Sequence, residues 1–312
     1  MRIDYYSKRI IGLNGLMKVV VHNLLLVISV AVAVSCGGTY PATEHQPKAL
    51  FIGNSFIYYG GCVEFGKQGK VDKGLFDAIC KANGFKIKVY DCTYGGHDLS
   101  DFTSNGCLNE SRHKNGPYGG CIGIGKDLLD GLDLNSFDYV FISEAGKNNS
   151  HFLEDFRAVK ERFRNPKTKF FYLSHSFTHM NNHRKIINVF PELEKEGVTI
   201  VEWGKLVNDL SKGRVAILGS VLKYDKNTFI KNKGDDFHEN PLSGYITAQM
   251  AFCAMTGKSA IGQDYSFCDR IINFSKFKTD HYRIASDTNF DAIFASRHDM
   301  EEIQKLIDRY LQ

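Results

Sequence analysis

Five short apolar runs of β type, separated by segments with the length and spacing of helices, narrow the fold of this 312-residue chain more than any other feature. The runs are Ala49–Ile52, Lys86–Tyr90, Tyr139–Ser143, Lys169–Leu173 and Val198–Glu202. Helical spacing marks Lys73–Asn83, Phe152–Phe163, Arg184–Lys195, Gly244–Thr256 and Met300–Leu311. A strand covered on both faces reads as a continuous apolar run, and parallel neighbours need a crossover that a helix fills. The expected fold class is therefore α/β: a three-layer α/β/α sandwich with a central parallel sheet, flavodoxin-like in outline. With 43% apolar residues, the chain can bury one large core, and a single folded domain is the simplest arrangement.

The beginning of the chain reads differently. Leu24 to Val34 is an apolar run interrupted only by Ser29, and it ends at Ser35-Cys36-Gly37-Gly38. Its eleven residues are fewer than the roughly 17–25 that span a bilayer as a helix, so an export signal fits better than a permanent anchor. Ala33-Val34-Ser35-Cys36 resembles a bacterial lipobox, in which the cysteine is acylated and becomes the mature N-terminus. Residues 1–36 are thus expected to be a lipoprotein-type signal ending at Cys36, with the true start at Met1 or at Met17, where a compact signal would begin. The Pro-containing polar stretch 37–47 is expected to be a tether, and 48–312 the folded domain. The product would be exported and held at a membrane, periplasmic or on the cell surface.

The formal net charge is only +4, and residues 1–35 carry Arg2, Lys8, Arg9 and Lys18 against Asp4, so the remainder is close to neutral. Nucleic-acid binding, which draws on concentrated basic charge, has no support. Seven cysteines follow Cys36, and none stands in C-x-x-C spacing, which removes the signal for a zinc ribbon or thioredoxin chemistry. An exported chain can form disulfides, and Cys107 with Cys121 is the pair to test first. Both lie in Ser104–Gly125, a Gly/Asn-rich stretch without either periodicity that reads as a long loop.

Reactive groups of a parallel sheet gather beyond the carboxyl ends of its strands. The first strand delivers Gly53-Asn54-Ser55 to that edge. A serine there is often a turn or helix-cap residue, and a hydroxyl becomes a nucleophile only when a base takes its proton. Gly234-Asp235-Asp236-Phe237-His238 supplies one, because a carboxylate three residues before a histidine can fold back onto Nδ1 and leave Nε2 for Ser55. Gly95-Gly96 follows the second strand and Gly146-Lys147-Asn148-Asn149 the third, placing a backbone N–H and an amide where an oxyanion would need donors.

Four blocks in this order, GNS, a Gly turn, GxN and DxxH, resemble the SGNH (GDSL-type) hydrolases, and GNSF with trailing tyrosines resembles the exported branch common in Bacteroides-like bacteria. The resemblance spans roughly residues 48–258. It implies Ser55 as nucleophile and oxyanion donor, Gly95 or Gly96 as second donor, Asn148 as third, and His238 as general base oriented by Asp235, with Asp236 as the competing acid. Asn54, Gly96, Asn149, His175 and His179 would line the substrate rim. Asn54 and Asn149 depart from the family's commoner aspartates, removing two charges from the site. The implied activity is ester hydrolysis through an acyl-enzyme without metal or organic cofactor, acting on a small-molecule or glycan ester, an O-acetyl group in particular. The rival class is a carbohydrate-binding lipoprotein that keeps the scaffold and has lost turnover.

Two other patterns carry less. Gly120 to Asp127 nearly spells a phosphate-binding loop, but Asp127 stands where a Ser or Thr would hold magnesium, and no strand-like run precedes it. His175, His179 and His183 recur every fourth residue, yet no carboxylate falls among them and Asn181-Asn182 weakens a helix there, so rim contact outweighs metal binding. Trp203 directly follows the fifth run, where half-buried packing is expected over stacking on a sugar.

Overall fold

The computed structural model describes residues 45–58, 60–63, 74–93, 97–102, 132–144, 151–175, 186–220, 229, 238–239, 241–268 and 297–312. The signal-type segment, most of the tether, the loop from Ser104 to Gly125 with Cys107 and Cys121, and the phosphate-loop-like stretch lie outside them. Within them, the strands are β1 (Lys48–Gly53), β2 (Lys88–Thr93), β3 (Tyr139–Ile142), β4 (Lys169–Leu173) and β5 (Val198–Val201). The helices are α1 (Ser55–Tyr58), α2 (Leu75–Ala82), α3 (Phe152–Lys160), α4 (Phe190–Lys195), α5 (Trp203–Ser211), α6 (Pro241–Thr256) and α7 (Arg297–Leu311).

All five strands run parallel in the order β2-β1-β3-β4-β5. The alternation of side chains along each strand divides the core in two. Ala49, Phe51, Phe141, Phe171 and Leu173 face a cluster completed by α2, α5, α6 and α7. Leu50, Ile52, Val140, Ile142 and Tyr172 face the opposite cluster, completed by α3, α4 and a 3-10 turn at Leu99–Phe102. This is the three-layer α/β/α sandwich. Because both faces are covered, the strands contain almost no polar residue at their centres.

Three boundaries differ from the sequence expectation for identifiable reasons. β2 begins two residues late and runs on through Asp91-Cys92-Thr93, because the Asp91 carboxylate satisfies the Thr93 N–H at 2.9 Å and its hydroxyl at 2.6 Å, which lets a polar strand end stay buried. The expected helix Arg184–Lys195 is interrupted: Ile186 and Ile187 are helical, 188–189 form a turn, and Pro191 opens α4, where its missing N–H has no cost. α5 had no counterpart among the expected helices, although Trp203, Leu206, Val207 and Leu210 form an apolar stripe at helical spacing. Trp203 is wholly buried at the start of that helix rather than half-buried.

α6 carries the sandwich's most enclosed face. It has no polar face: Leu242 to Cys253, with Ser243, Thr247 and Gln249 among them, is buried without interruption between α2, α5, α7 and the sheet. No helix among the described residues is long and apolar enough to cross a membrane.

Aromatic packing under β1 and β3 is dense. The ring of Phe141 stacks on Phe51 at 4.5 Å and on Phe171 at 4.7 Å, and meets Phe76 of α2 edge-on at 5.2 Å. Phe141→Ala should therefore cost about 3–5 kcal/mol in urea unfolding, and a loss below about 1 kcal/mol would contradict this packing.

Buried proton donors set a second expectation. Burial first, then Asp77, raises the Cys80 thiol, and burial raises Cys253 from 9.0 to about 11. Burial and the hydrogen bond from its hydroxyl to Asp209 raise Tyr310 from 10.0 to about 12. In each case the folded state holds a proton that the unfolded chain releases sooner, so the stabilisation is complete below the ordinary value and is lost as pH rises through the folded one. The urea midpoint should fall between pH 9 and pH 12, less steeply in Tyr310→Phe; an unchanged midpoint would contradict the assignment.

Candidate active site

β1 ends at the point where the chain order of the sheet reverses, with β2 on one side and β3 on the other, and such switch points open a crevice at the strands' carboxyl ends. Gly53 makes the exit tight. A Cβ there would stand 2.8 Å from the Ser143 carbonyl oxygen and 3.3 Å from the Ser143 Cβ, so only glycine lets β1 leave the sheet this close to β3. Ser143 donates its N–H to the Ile52 carbonyl at 3.0 Å, continuing the β1–β3 ladder to its last position.

Asn54 then turns the chain into α1. Its carbonyl accepts from the Ile57 N–H at 3.0 Å and its side-chain Oδ1 from the Phe56 N–H at 3.1 Å, the geometry of a helix N-cap. Ser55 follows as the first residue of α1 and is 8% exposed.

The second half of the site comes from far along the chain. His238 lies just ahead of α6 and is 7% exposed, and its Nε2 stands 2.7 Å from the Ser55 Oγ, across 183 positions of sequence. For the serine hydroxyl to donate, Nε2 must be the unprotonated ring nitrogen, leaving the proton on Nδ1. Phe56, next to the serine, contacts two imidazoles: its ring stacks on His175 at 4.3 Å and tilts against His238 at 5.4 Å.

Backbone contacts hold the two halves in place. A Cβ on Gly244 would fall 1.8 Å from the Gly60 carbonyl oxygen, so the absence of a side chain lets the first turn of α6 rest on the backbone just beyond α1. The Ser243 hydroxyl donates to the Phe229 carbonyl at 2.6 Å beside it. On the opposite side, a Cβ on Gly204 would fall 1.6 Å from the His175 carbonyl oxygen, and the Gly204 N–H donates to Ser174 at 3.0 Å. α5 therefore begins directly on the backbone of His175.

Of the sequence-predicted residues, Ser55 and His238 are brought together. Asn54 and His175, expected on the rim, are both fully buried: Asn54 is engaged by backbone groups, and His175 is enclosed between Phe56 and α5. Asp235, Asp236, Gly95, Gly96, Asn148, Asn149, His179 and His183 lie outside the described residues, as does Cys36. Sequence reasoning quoted the Phe of GNSF and began a helix at Gly244, but did not anticipate the ring contacts of the one or the close backbone approach of the other. The Phe in GNSF and the glycine six residues after His238 were the available signals, but an aromatic after a serine and a glycine in a helix have many uses. No group of three or more metal-ligating side chains occurs among the described residues.

No protein-family model matches the sequence, and no curated protein matches it. Solved structures similar to this chain at low identity include two hydrolases. One is the lipase Lip_vut3 from a goat rumen metagenome, 10% identical, with a TM-score of 0.38 over 67% of this chain and 97% of its own. The other is a catalytic mutant of Axe2, an acetylxylan esterase from Geobacillus stearothermophilus, 13% identical, with a TM-score of 0.44 over 68% of this chain and 94% of its own.

Replacing Gly244 by Ala must displace backbone, not a flexible side-chain tip. The variant should lose about 1–3 kcal/mol in urea unfolding. Unchanged stability would show that α6 does not bear on the Gly60 segment.

Proposed function

We propose that this protein is a serine ester hydrolase of SGNH type that works through an acyl-enzyme. The observation that carries the proposal is the 2.7 Å contact between Ser55 Oγ and His238 Nε2, both almost excluded from water. A buried hydroxyl facing an imidazole nitrogen at this distance is poised to lose its proton as it attacks a carbonyl carbon.

In the proposed sequence, Ser55 Oγ bonds to the ester carbonyl carbon while His238 takes its proton on Nε2. The carbonyl oxygen becomes an oxyanion, for which the Ser55 N–H, the N–H of Gly95 or Gly96 and the Asn148 amide are the proposed donors. Collapse expels the alcohol, to which His238 returns the proton. Water, deprotonated by His238, then attacks the acyl carbon; collapse breaks its bond to Ser55 Oγ, to which His238 returns the proton, and the carboxylic acid released ionises in solvent. Asp235, with Asp236 as the neighbouring alternative, is proposed to hold His238 by its Nδ1–H. Full burial of Asn54 and His175 moves both out of the proposed rim, leaving that role to segments beyond the described residues.

The proposed substrate is an O-acetyl or other short O-acyl group on a carbohydrate. The export-type leader with Cys36 in a lipobox context supports an extracytoplasmic, lipid-anchored protein that meets glycans, and the four-block resemblance supports ester chemistry.

Hydrolysis of p-nitrophenyl acetate by residues 37–312 tests the proposal. Ser55→Ala and His238→Ala should each lower kcat by at least about 1000-fold. Rates unchanged by either substitution would reject it, and would favour the binding-protein class if the wild-type domain also fails to turn over acetylated oligosaccharides that it binds.

A further inference from the structure

Asn54 satisfies two distant backbone groups with the two halves of one amide. Its Oδ1 accepts from the Phe56 N–H at 3.1 Å, and its Nδ2 donates to the His97 carbonyl at 3.1 Å. The first bond caps the helix that begins with Ser55. The second crosses to the connection leaving β2, beyond which the chain enters the 3-10 turn at Leu99–Phe102.

That connection is also tied at its other end. Thr93 pairs with Gly53 in the parallel register and is held by Asp91, so the last residue of β2 is fixed beside the last residue of β1. Only Tyr94, Gly95 and Gly96 separate Thr93 from His97. On its far side the turn is fastened to the chain just beyond β3, because the Leu99 N–H donates to Glu144 at 2.7 Å, and it is closed internally by Asp98 N–H to Asp101 at 2.9 Å. Asn54 thus joins the start of α1 to the chain leaving β2 at His97.

We infer that Asn54 is a positioning residue that fixes the chain at His97 relative to Ser55, and that its amide N–H, rather than its shape, is what the site requires. This inference rests on the proposed hydrolase reading, since the Gly95-Gly96 pair is the proposed source of an oxyanion donor. The chemistry of the alternatives is specific. Aspartate at position 54 could keep the cap but would oppose an oxygen to the His97 carbonyl, in surroundings where Asp91, Asp101 and Glu144 are already buried. Serine could keep the cap and is too short to reach His97. A donor misplaced by as little as about 1 Å can cost about 100-fold in rate.

The test compares the wild-type domain with Asn54→Ser, Asn54→Asp and Ser55→Ala on p-nitrophenyl acetate, with native fold followed by near-ultraviolet circular dichroism at each pH. Asn54→Ser should lower kcat about 10- to 100-fold while KM changes less than about threefold. Asn54→Asp should be similarly impaired at neutral pH, and its kcat relative to wild type should climb on acidification, because a protonated carboxyl regains an O–H to donate to His97. Wild-type kcat in Asn54→Ser, or a folded Asn54→Asp whose relative kcat stays flat with pH, would overturn the inference. If Asn54→Asp does not fold, Asn54→Ser alone decides. Failure of the hydrolase reading is distinguishable, because wild type and Ser55→Ala would then give the same rate.

Discussion

The contact between Ser55 and His238 is a long-range interaction that the chain makes only by completing its fold. Strand β1 must reach the switch point of the sheet, α1 must start immediately, and His238, 183 positions along the chain, must come back to the same edge ahead of α6. Its strength as a hydrogen bond is modest, on the order of 1 kcal/mol, so it does not organise the structure. The surrounding packing organises it. Two glycines without which backbones would collide, Gly53 against Ser143 and Gly244 against Gly60, bring the halves within reach, and Phe56 fills the space between the two imidazoles.

This arrangement accounts for a group of buried polar residues along one edge of the sandwich. Asn54, Asp91, Thr93, Ser143, Glu144, Ser174 and His175 all sit at or just beyond strand ends, each nearly inaccessible to water. Several are visibly used to hold backbone: Asn54 on His97, Asp91 on Thr93, Glu144 on Leu99. A site that must keep a serine and a histidine at hydrogen-bond distance needs loops that do not wander, and buried side-chain to backbone bonds provide that where regular ladders end.

The sheet was legible in the sequence because parallel strands buried on both faces leave continuous apolar runs, and four of the five began within a residue of the expected position. The pairing of Ser55 with His238 was legible because both residue types stand where the chain order brings them to one edge of the sheet. Other features were not, for physical reasons. The end of β2 is polar and stays buried only through the internal Asp91–Thr93 bonds, which no periodicity reveals. His175 looked like a rim residue because a histidine after a strand usually is near a surface, but Gly204 lets α5 close directly over it. Asn54 looked like a missing charge, whereas its value lies in an amide that can accept and donate at once.

The central claim is that the Ser55 hydroxyl is made nucleophilic by His238. Intact-mass and peptide-mapped labelling with a fluorophosphonate reads that reactivity without depending on the natural ester. The account predicts one adduct per chain, located on Ser55, formed rapidly in the wild-type domain and at least about 100-fold more slowly in a folded His238→Ala variant. Labelling that falls on another residue, or that proceeds on Ser55 at the same rate without the imidazole, would contradict it.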